Sequence, residues 1–321
     1  MRVFTDPADI PAGFGPSVIA IGKFDGVHSG HRAVIDRARV TATDAGARVV
    51  AVTFDRNPLS ILRPESCPEA LVSIEQKIAL LADAGVDATL VLRFDAELAA
   101  LTPEEFVEHV LVDALDAVCV LVGDDFRFGR GGAGTPQLLA SLGLDSGFTV
   151  DVVSDVQGGG RRVSSTWVRE LLAAGQVEDA ARLLGRPHAL RGEIVHGVKR
   201  GRELGYPTAN LSADVEGFVP ADGVYAGWLV DEGSSADRLF AATRYPAAIS
   251  IGTNPTFDDV PVRQVEAYVL DETDLDLYGH TVQVQLTHRI RGMVKFEGID
   301  ALIETMRGDV EAARIALRAG R

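Results

Sequence analysis

Val18-Ile19-Ala20-Ile21-Gly22-Lys23-Phe24-Asp25-Gly26-Val27-His28-Ser29-Gly30-His31 decides how the first half of the chain is built. A short apolar run gives way to a glycine-bearing turn. The turn leads into Arg32-Ala33-Val34-Ile35-Asp36-Arg37-Ala38, whose apolar residues have helical spacing. A buried strand thus ends in a turn that opens a helix. A helix N-terminus offers unpaired backbone N–H groups and the positive end of its dipole, which suits phosphate. His28 and His31 are three apart and share a face if both stand in the first turn. Gly22, Gly26 and Gly30, framing Phe24, permit close backbone approach to a ligand. The plain alternative is a strand–turn–helix corner with two incidental histidines, so the reading asks for a second half of a site elsewhere.

Working outward, strand-like and helix-like segments alternate. Arg48-Val49-Val50-Ala51-Val52-Thr53-Phe54 is a β-branched apolar run typical of a parallel strand buried on both faces, and it stops at Asp55-Arg56-Asn57-Pro58. Ile74 to Ala82 has helical periodicity and stops at Gly85. Ala88 to Leu92 is a strand, and Thr102-Pro103-Glu104-Glu105 is a helix start with Thr as N-cap and Pro first. Val118 to Val122 is a strand ending at Gly123-Asp124-Asp125-Phe126-Arg127-Phe128-Gly129, and Thr149 to Val153 is another. The order βαβαβαβ predicts an α/β fold with an open, doubly wound, Rossmann-like parallel sheet. Such sheets bind ligands at the carboxyl ends of their strands. The turns at Gly22–His31, Asp55–Pro58 and Gly123–Gly129 would then sit side by side.

Ser164-Ser165-Thr166 precedes a helix that carries Arg169 on its first turn and ends at Gly175. One cap needs one hydroxyl, so three with an arginine look like a phosphate cradle. A helix from Val177 to Leu184 closes this half, with Gly185-Arg186-Pro187 as the expected boundary. From Leu190 the apolar residues come in short alternating runs: Gly192–His196, Gly223–Val230, Arg238–Thr243, Ala247–Ile251, Gln264–Leu270 and Thr281–Thr287. About six strands with turn signals between them predict a small antiparallel β-barrel. A terminal helix follows from Ile299 to about Ala319.

Composition narrows the function. The 321 residues fit two domains better than one, and 46% apolar content supplies their cores. Mean hydropathy is +0.12. The 31 Lys+Arg against 46 Asp+Glu leave a net charge of −15, which disfavours nucleic acid or an anionic membrane as partner. A local basic site remains compatible with this, and Lys199, Arg200, Arg202 and the Arg161-Arg162 pair are the candidates for one. Two cysteines, Cys67 and Cys119, have neither metal-ligand spacing nor a disulfide framework. With no apolar leader after Met1 and no run of membrane-spanning length, the expected compartment is the cytoplasm.

Together, Gly22-x-Phe24-Asp25-Gly26-Val27-His28-x-Gly30-His31, Gly123-x-Asp125-Phe126-x-Phe128-Gly129 and Ser164-Ser165-Thr166-x-x-Arg169 resemble the adenylyltransferase module of the prokaryotic bifunctional riboflavin kinase/FAD synthetases. Gly197-x-x-x-Gly201-Arg202-x-Leu204-Gly205-Tyr206-Pro207-Thr208-Ala209-Asn210 is similar to their riboflavin kinase signature. Gly223-Val224-Tyr225, Gly252-x-x-Pro255-Thr256-Phe257, Glu266-Ala267-Tyr268 and Asp276-Leu277-Tyr278-Gly279 support it, so the likeness covers almost the whole chain. One departure is Asn57, where many members carry histidine, which bears on any charge role there.

The resemblance implies a nucleotidylyltransferase domain over residues 1–185 and a riboflavin kinase domain over 186–321. Riboflavin is phosphorylated by ATP to FMN with release of ADP, and FMN is then adenylylated by a second ATP to FAD and pyrophosphate. His28 and His31 would donate to phosphates, with Ser164, Ser165, Thr166 and Arg169 on the departing end. Asn57, Asp125 and Arg127 are expected on the flavin side of that step. In the kinase, Glu266 would be the base, on a strand facing the barrel mouth. Thr208 and Asn210 would be oxygen ligands for Mg²⁺, and Gly197, Gly201 and Gly205 would form a loop over the nucleotide. That loop is not a Walker loop, since the Gly-Lys-Ser/Thr ending is missing. His109, His188, His196, His280 and His288 read as structural or surface residues. A homo-oligomer is compatible with the sequence. Three other readings stay open: a single active module, a flavin carrier without turnover, and a class I aminoacyl-tRNA synthetase. The last would need a lysine-rich loop and a basic face that the chain lacks.

Overall fold

The computed structural model describes residues 1–197, 205–234, 242–253, 263–272 and 275–319. Contacts divide the chain into two compact units, Met1–Ser165 and Thr166–Arg321.

The first unit is a six-stranded sheet. Its strands are β1 (Arg2–Phe4), β2 (Ser17–Ile21), β3 (Arg48–Phe54), β4 (Ala88–Leu92), β5 (Ala117–Gly123) and β6 (Thr149–Val153). They lie in the order β1-β4-β3-β2-β5-β6, and every pairing is parallel. Side-chain alternation splits the core in two. Ile19, Ile21, Val50, Val52, Leu90 and Val120 face one layer with Phe106, Leu111 and Leu139. Val18, Ala20, Val49, Ala51 and Leu121 face the other with Ile35, Ala38 and Leu81. Helices cover both faces, as a doubly wound sheet requires. β3 and β5 flank β2, so the direction of winding reverses beside β2 and the three polar strand ends are neighbours.

Local signals act as their chemistry dictates. Ser73 and Gln76 form a capping box on the helix Ile74–Asp83, and Thr102 and Glu105 form one on Pro103–Phe106. β1 had no counterpart in the sequence reading; it is three residues long and largely exposed, too short for a period to register. A two-stranded ribbon, β7 (Gln157–Gly158) with β8 (Arg161–Arg162), precedes the helix Ser165–Ala173.

The second unit is a closed antiparallel barrel. Its strands are β9 (His188–Val195), β10 (Ala209–Leu211), β11 (Gly223–Asp231), β12 (Thr243–Gly252), β13 (Gln264–Val269) and β14 (Thr281–Arg291). They close in the order β10-β13-β12-β11-β14-β9, which leaves no free edge. Six strands were expected, but their membership differs. β10 begins within the last two residues of the Gly197–Asn210 signature, which carried no strand expectation. The expected strand Arg238–Thr243 lies outside the described residues except at Ala242 and Thr243; β12 begins at Thr243 and runs on through Pro246. Val265, Ala267 and Val269 point inward with Ile249, Leu229, Val284 and Leu190, all buried. The terminal helix Ile299–Ala319 packs Val310, Ala313 and Leu317 on Ala226, Ala248 and Leu270 of the outer wall. The helix Val177–Leu184 also belongs to this unit, where Glu178 accepts the Arg289 backbone N–H at 2.9 Å.

Candidate functional site

In the first unit the turn after β2 is strained. Gly26 has φ +80°, but Phe24 (+49°) and Val27 (+40°) also adopt positive φ, an outlying conformation for a β-branched residue. Both side chains are buried and held by the core. The consequence is the placement of His28, which is 6% exposed and stands as the N-cap of the helix Ser29–Ala45. Its Nδ1 accepts the His31 backbone N–H at 3.4 Å. An accepting Nδ1 puts the ring proton on Nε2, the nitrogen that can donate to a ligand. The His28 and His31 rings stack with centroids 3.7 Å apart and planes 15° from parallel, and Phe24 meets His31 edge-on at 5.3 Å. Gly30 makes room for this: a Cβ there would lie 3.1 Å from the His28 ring. At Gly22 a Cβ would lie 3.3 Å from the Phe24 ring.

The other expected residues of this unit have definite partners. Ser165 Oγ donates to the Asp25 carbonyl at 2.8 Å, tying the start of its helix to the histidine turn. Ser164 immediately precedes it, while Thr166 and Arg169 follow on the second unit's side of the division. Asn57 Oδ1 accepts the Leu59 N–H at 3.1 Å, so its carbonyl side shapes the turn after β3. Asp125 pairs with Arg162 at 3.0 Å, and Arg127 donates to the Phe126 carbonyl at 2.9 Å; both are exposed after β5. Phe128 anchors that turn against Phe126 and Phe106. Two residues of this region have no site role in the sequence analysis. Thr53 Oγ1 donates to the Lys23 carbonyl at 3.1 Å, and Lys77 Nζ to the Phe54 carbonyl at 3.0 Å.

In the second unit one lateral row crosses the outer wall of the barrel. Val195, Asn210, Glu266, Ser250, Val224 and Arg291 are successive partners on β9, β10, β13, β12, β11 and β14. Glu266 therefore faces outward from the wall; the expected orientation toward the barrel mouth is corrected by the register, which gives the interior to Val265 and Ala267. Asn210 Nδ2 donates to Thr208 Oγ1 at 3.3 Å and to the Thr208 carbonyl at 3.1 Å, and the Thr208 hydroxyl donates to the Glu266 carboxylate. Burial pushes the Glu266 carboxyl above the ordinary range, and the Thr208 bond pulls it part of the way back. Gly197 closes over this group, since a Cβ there would lie 2.6 Å from the Asn210 amide. Space, rather than a special φ, demands that glycine. Gly205 has φ +85°, and Gly201 lies outside the described residues together with Lys199, Arg200 and Arg202. Ser250, directly opposite Glu266, was not anticipated, because strand register is invisible before pairing is known.

Beside the row, Tyr206 and Tyr268 meet edge-to-face at 5.3 Å. They line a cleft of about 680 Å³ with Gly205 and the terminal-helix residues Glu304, Arg307, Gly308, Glu311 and Arg314. Arg291 grips Asp309 of that helix through two bonds of 2.8 and 2.7 Å. The remaining histidines have structural partners: His188 Nε2 meets the Phe218 carbonyl at 2.7 Å, His280 pairs with Asp231 at 3.0 Å, His288 Nδ1 meets Thr287 Oγ1 at 3.1 Å, His109 stands 4.0 Å from Asp113, and His196 packs on Tyr278. Among the described residues no helix is long and apolar enough to cross a membrane, and no group of three or more His, Cys, Asp or Glu could hold a metal. Among the described residues, Thr208, Asn210 and Glu266 bring side-chain oxygens together on the outer wall, with Ser250 beside Glu266.

Known proteins match both units. The FAD synthetase family model matches residues 12–167 and the riboflavin kinase model residues 184–317. The bifunctional riboflavin kinase/FMN adenylyltransferase of Escherichia coli strain K12 is 37% identical, over 92% of this chain and 91% of its own length. That of Bacillus subtilis strain 168 is 32% identical, over 92% and 91%. The crystal structure of a macrolide-efflux protein from Streptococcus pneumoniae is 32% identical with a TM-score of 0.84, covering 97% of this chain and 98% of that one. With both family models matched in order and relatives alike over nine-tenths of its length, the chain belongs to the bifunctional riboflavin kinase/FMN adenylyltransferase family, making FMN from riboflavin and FAD from FMN.

Proposed function

We propose that riboflavin is phosphorylated on the outer barrel wall, with Glu266 as general base, and that FMN is adenylylated at the strand ends of the first unit, with His28 and His31 on the phosphates. The observation that carries the first assignment is the hydrogen-bonded chain Asn210–Thr208–Glu266. An alcohol must lose its proton as its oxygen bonds to the γ-phosphorus and the bond to ADP breaks; Glu266 takes that proton. Its raised pKa suits a base working near neutrality. Thr208 and Asn210 supply uncharged oxygens of the kind that suit Mg²⁺ already partnered by phosphates. Mg²⁺ bound there with ATP would neutralise charge on the transferring group. The tyrosine-walled cleft is of a size and character to take the flavin ring.

In the adenylyl step the FMN phosphate oxygen bonds to the α-phosphorus and pyrophosphate leaves. The nucleophile is already an anion, so no side-chain base is needed and the chain's task is positioning and charge stabilisation. The Nε2–H of His28 and the helix N-terminus meet phosphate oxygens. Ser164, Ser165, Thr166 and Arg169 serve the pyrophosphate end, and Asn57, Asp125 and Arg127 the flavin. We assign this step to residues 1–185 and the kinase to 186–321, in keeping with the spans of the two family models. The two free cysteines, Cys67 and Cys119, favour the cytoplasm as its place of work.

The test is a time course of purified chain with riboflavin and ATP, with Mg²⁺ or with a chelator, the flavins resolved by chromatography. FMN should appear first, FAD should follow, and the chelator should stop both. Conversion that persists in chelator would overturn the metal assignment, and FMN without FAD the adenylyl assignment.

A further inference from the structure

A buried lysine stands beneath the strand ends of the first unit. The helix Ile74–Asp83 places Ile74, Ile78 and Leu81 in one stripe, and Lys77 occupies the same stripe. It is 6% exposed, where lysine is rarely found without partners. Its ammonium donates to the carbonyl of Phe54, the last residue of β3. Asp25 in the turn after β2 and Asp55 in the turn after β3 are the charged groups that face it. Burial lowers the lysine pKa, and the two carboxylates oppose that shift.

Both acids are already committed to the backbone. Asp25 accepts the Leu71 N–H at 2.8 Å, and Asp55 accepts the Phe94 N–H at 2.9 Å. Each therefore fixes the loop it belongs to, and the lysine is the cation that relates the two loops. Asp55 is also paired with Arg56 at 2.8 Å; removing the lysine would still leave one positive charge fewer beside the two carboxylates, under the place where ATP and FMN bring their phosphates, and like charges at short range in a partly buried site repel strongly.

We propose that Lys77 is a positioning residue for adenylyl transfer, holding the end of β3 through the Phe54 carbonyl and drawing the turns after β2 and β3 together by offsetting part of the charge of Asp25 and Asp55. It acts through those residues and does not touch substrate. The proposal rests on the assignment of adenylyl transfer to the Gly22–His31 turn.

Lys77→Met keeps the apolar stem and removes the charge; Lys77→Arg keeps the charge. Both are measured in the full chain, for FAD formed from FMN and for FMN formed from riboflavin. Lys77→Met should lower kcat/KM for adenylylation about tenfold or more, with riboflavin phosphorylation held within about twofold. Lys77→Arg should recover most of the lost rate. A lysine that only filled a core would give the reverse order, because flexible Met adapts to a packed interior better than bulkier Arg. Wild-type adenylylation by Lys77→Met, a Met variant faster than the Arg variant, or equal loss of both activities would each overturn the proposal. The double variant His28→Ala/His31→Ala separates the two possible failures. If it keeps adenylylation, the site assignment falls and takes the proposal with it; if it loses adenylylation while Lys77→Met keeps it, only the lysine's role falls.

Discussion

Asn210 and Glu266 stand directly opposite each other across β10 and β13, and the Thr208 hydroxyl links them by accepting from the amide and donating to the carboxylate. The link holds the carboxylate in one orientation and moderates the upward pull of burial on its pKa. The kinase needs Glu266 ionised, so riboflavin phosphorylation should fall as pH drops through that raised pKa. Thr208→Val removes a bond to the charged form, raises the pKa further and should shift this acid limb to higher pH. The check is kcat/KM against pH for both activities; an identical shift in adenylylation would contradict the assignment.

Gly197 is a steric prediction. A Cβ 2.6 Å from the Asn210 amide has no room unless Asn210 moves, and Asn210 belongs to the chain that orients Glu266. Gly197→Ala should lower riboflavin phosphorylation about tenfold or more while FAD formation from FMN is retained. Initial rates with each flavin decide it.

His28 combines two roles that a substitution can separate. Asparagine is a good N-cap, so His28→Asn should keep the helix Ser29–Ala45 within about 0.5 kcal/mol of its present stability. Loss of the imidazole donor should still lower adenylylation by about 10²-fold. Equilibrium unfolding and FAD formation are measured side by side; a variant that adenylylates normally would reduce His28 to a cap.

His188 predicts the acid sensitivity of the barrel. Burial, partly offset by its bond to the Phe218 carbonyl, lowers its pKa to about 4 from 6.5. The unfolded chain takes up a proton near pH 6.5 while the folded barrel does not until about 4, so stability falls as pH is lowered across that window, by about 3 kcal/mol. His188→Gln keeps a donor and removes the titration, which should flatten the curve there. Both tryptophans, Trp167 and Trp228, belong to the second unit, so denaturation followed by tryptophan fluorescence reads it.

Much of the fold was legible because its signals are local. The largely apolar runs of β2 to β5 announce a parallel sheet, and Thr102-Pro103-Glu104-Glu105 opens its helix as its residue types require. What was not legible depended on pairing. A one-residue change in register turns a strand over, so the outward face of Glu266 could be known only once Ala267 was seen opposite Ala209 and Ile249. Arg238–Thr243 and Ala247–Ile251 read as separate runs in sequence, whereas β12 is continuous from Thr243 to Gly252 and carries Pro246 within it. The positive φ of Phe24 and Val27 was hidden because sequence rules give that conformation to glycine. Lys77 was within reach: a lysine in the apolar stripe of Ile74, Ile78 and Leu81 is itself a signal of a buried charge with partners.

The central claim is that one chain holds two independent sites, with Glu266 serving one and His28/His31 the other. Glu266→Ala and His28→Ala/His31→Ala are each given riboflavin with ATP, and separately FMN with ATP, and the flavins are resolved. Glu266→Ala should make no FMN yet convert supplied FMN to FAD at the wild-type rate, and the double histidine variant should make FMN and stop there. Loss of both reactions from either folded variant, or loss of the wrong one, would contradict the account.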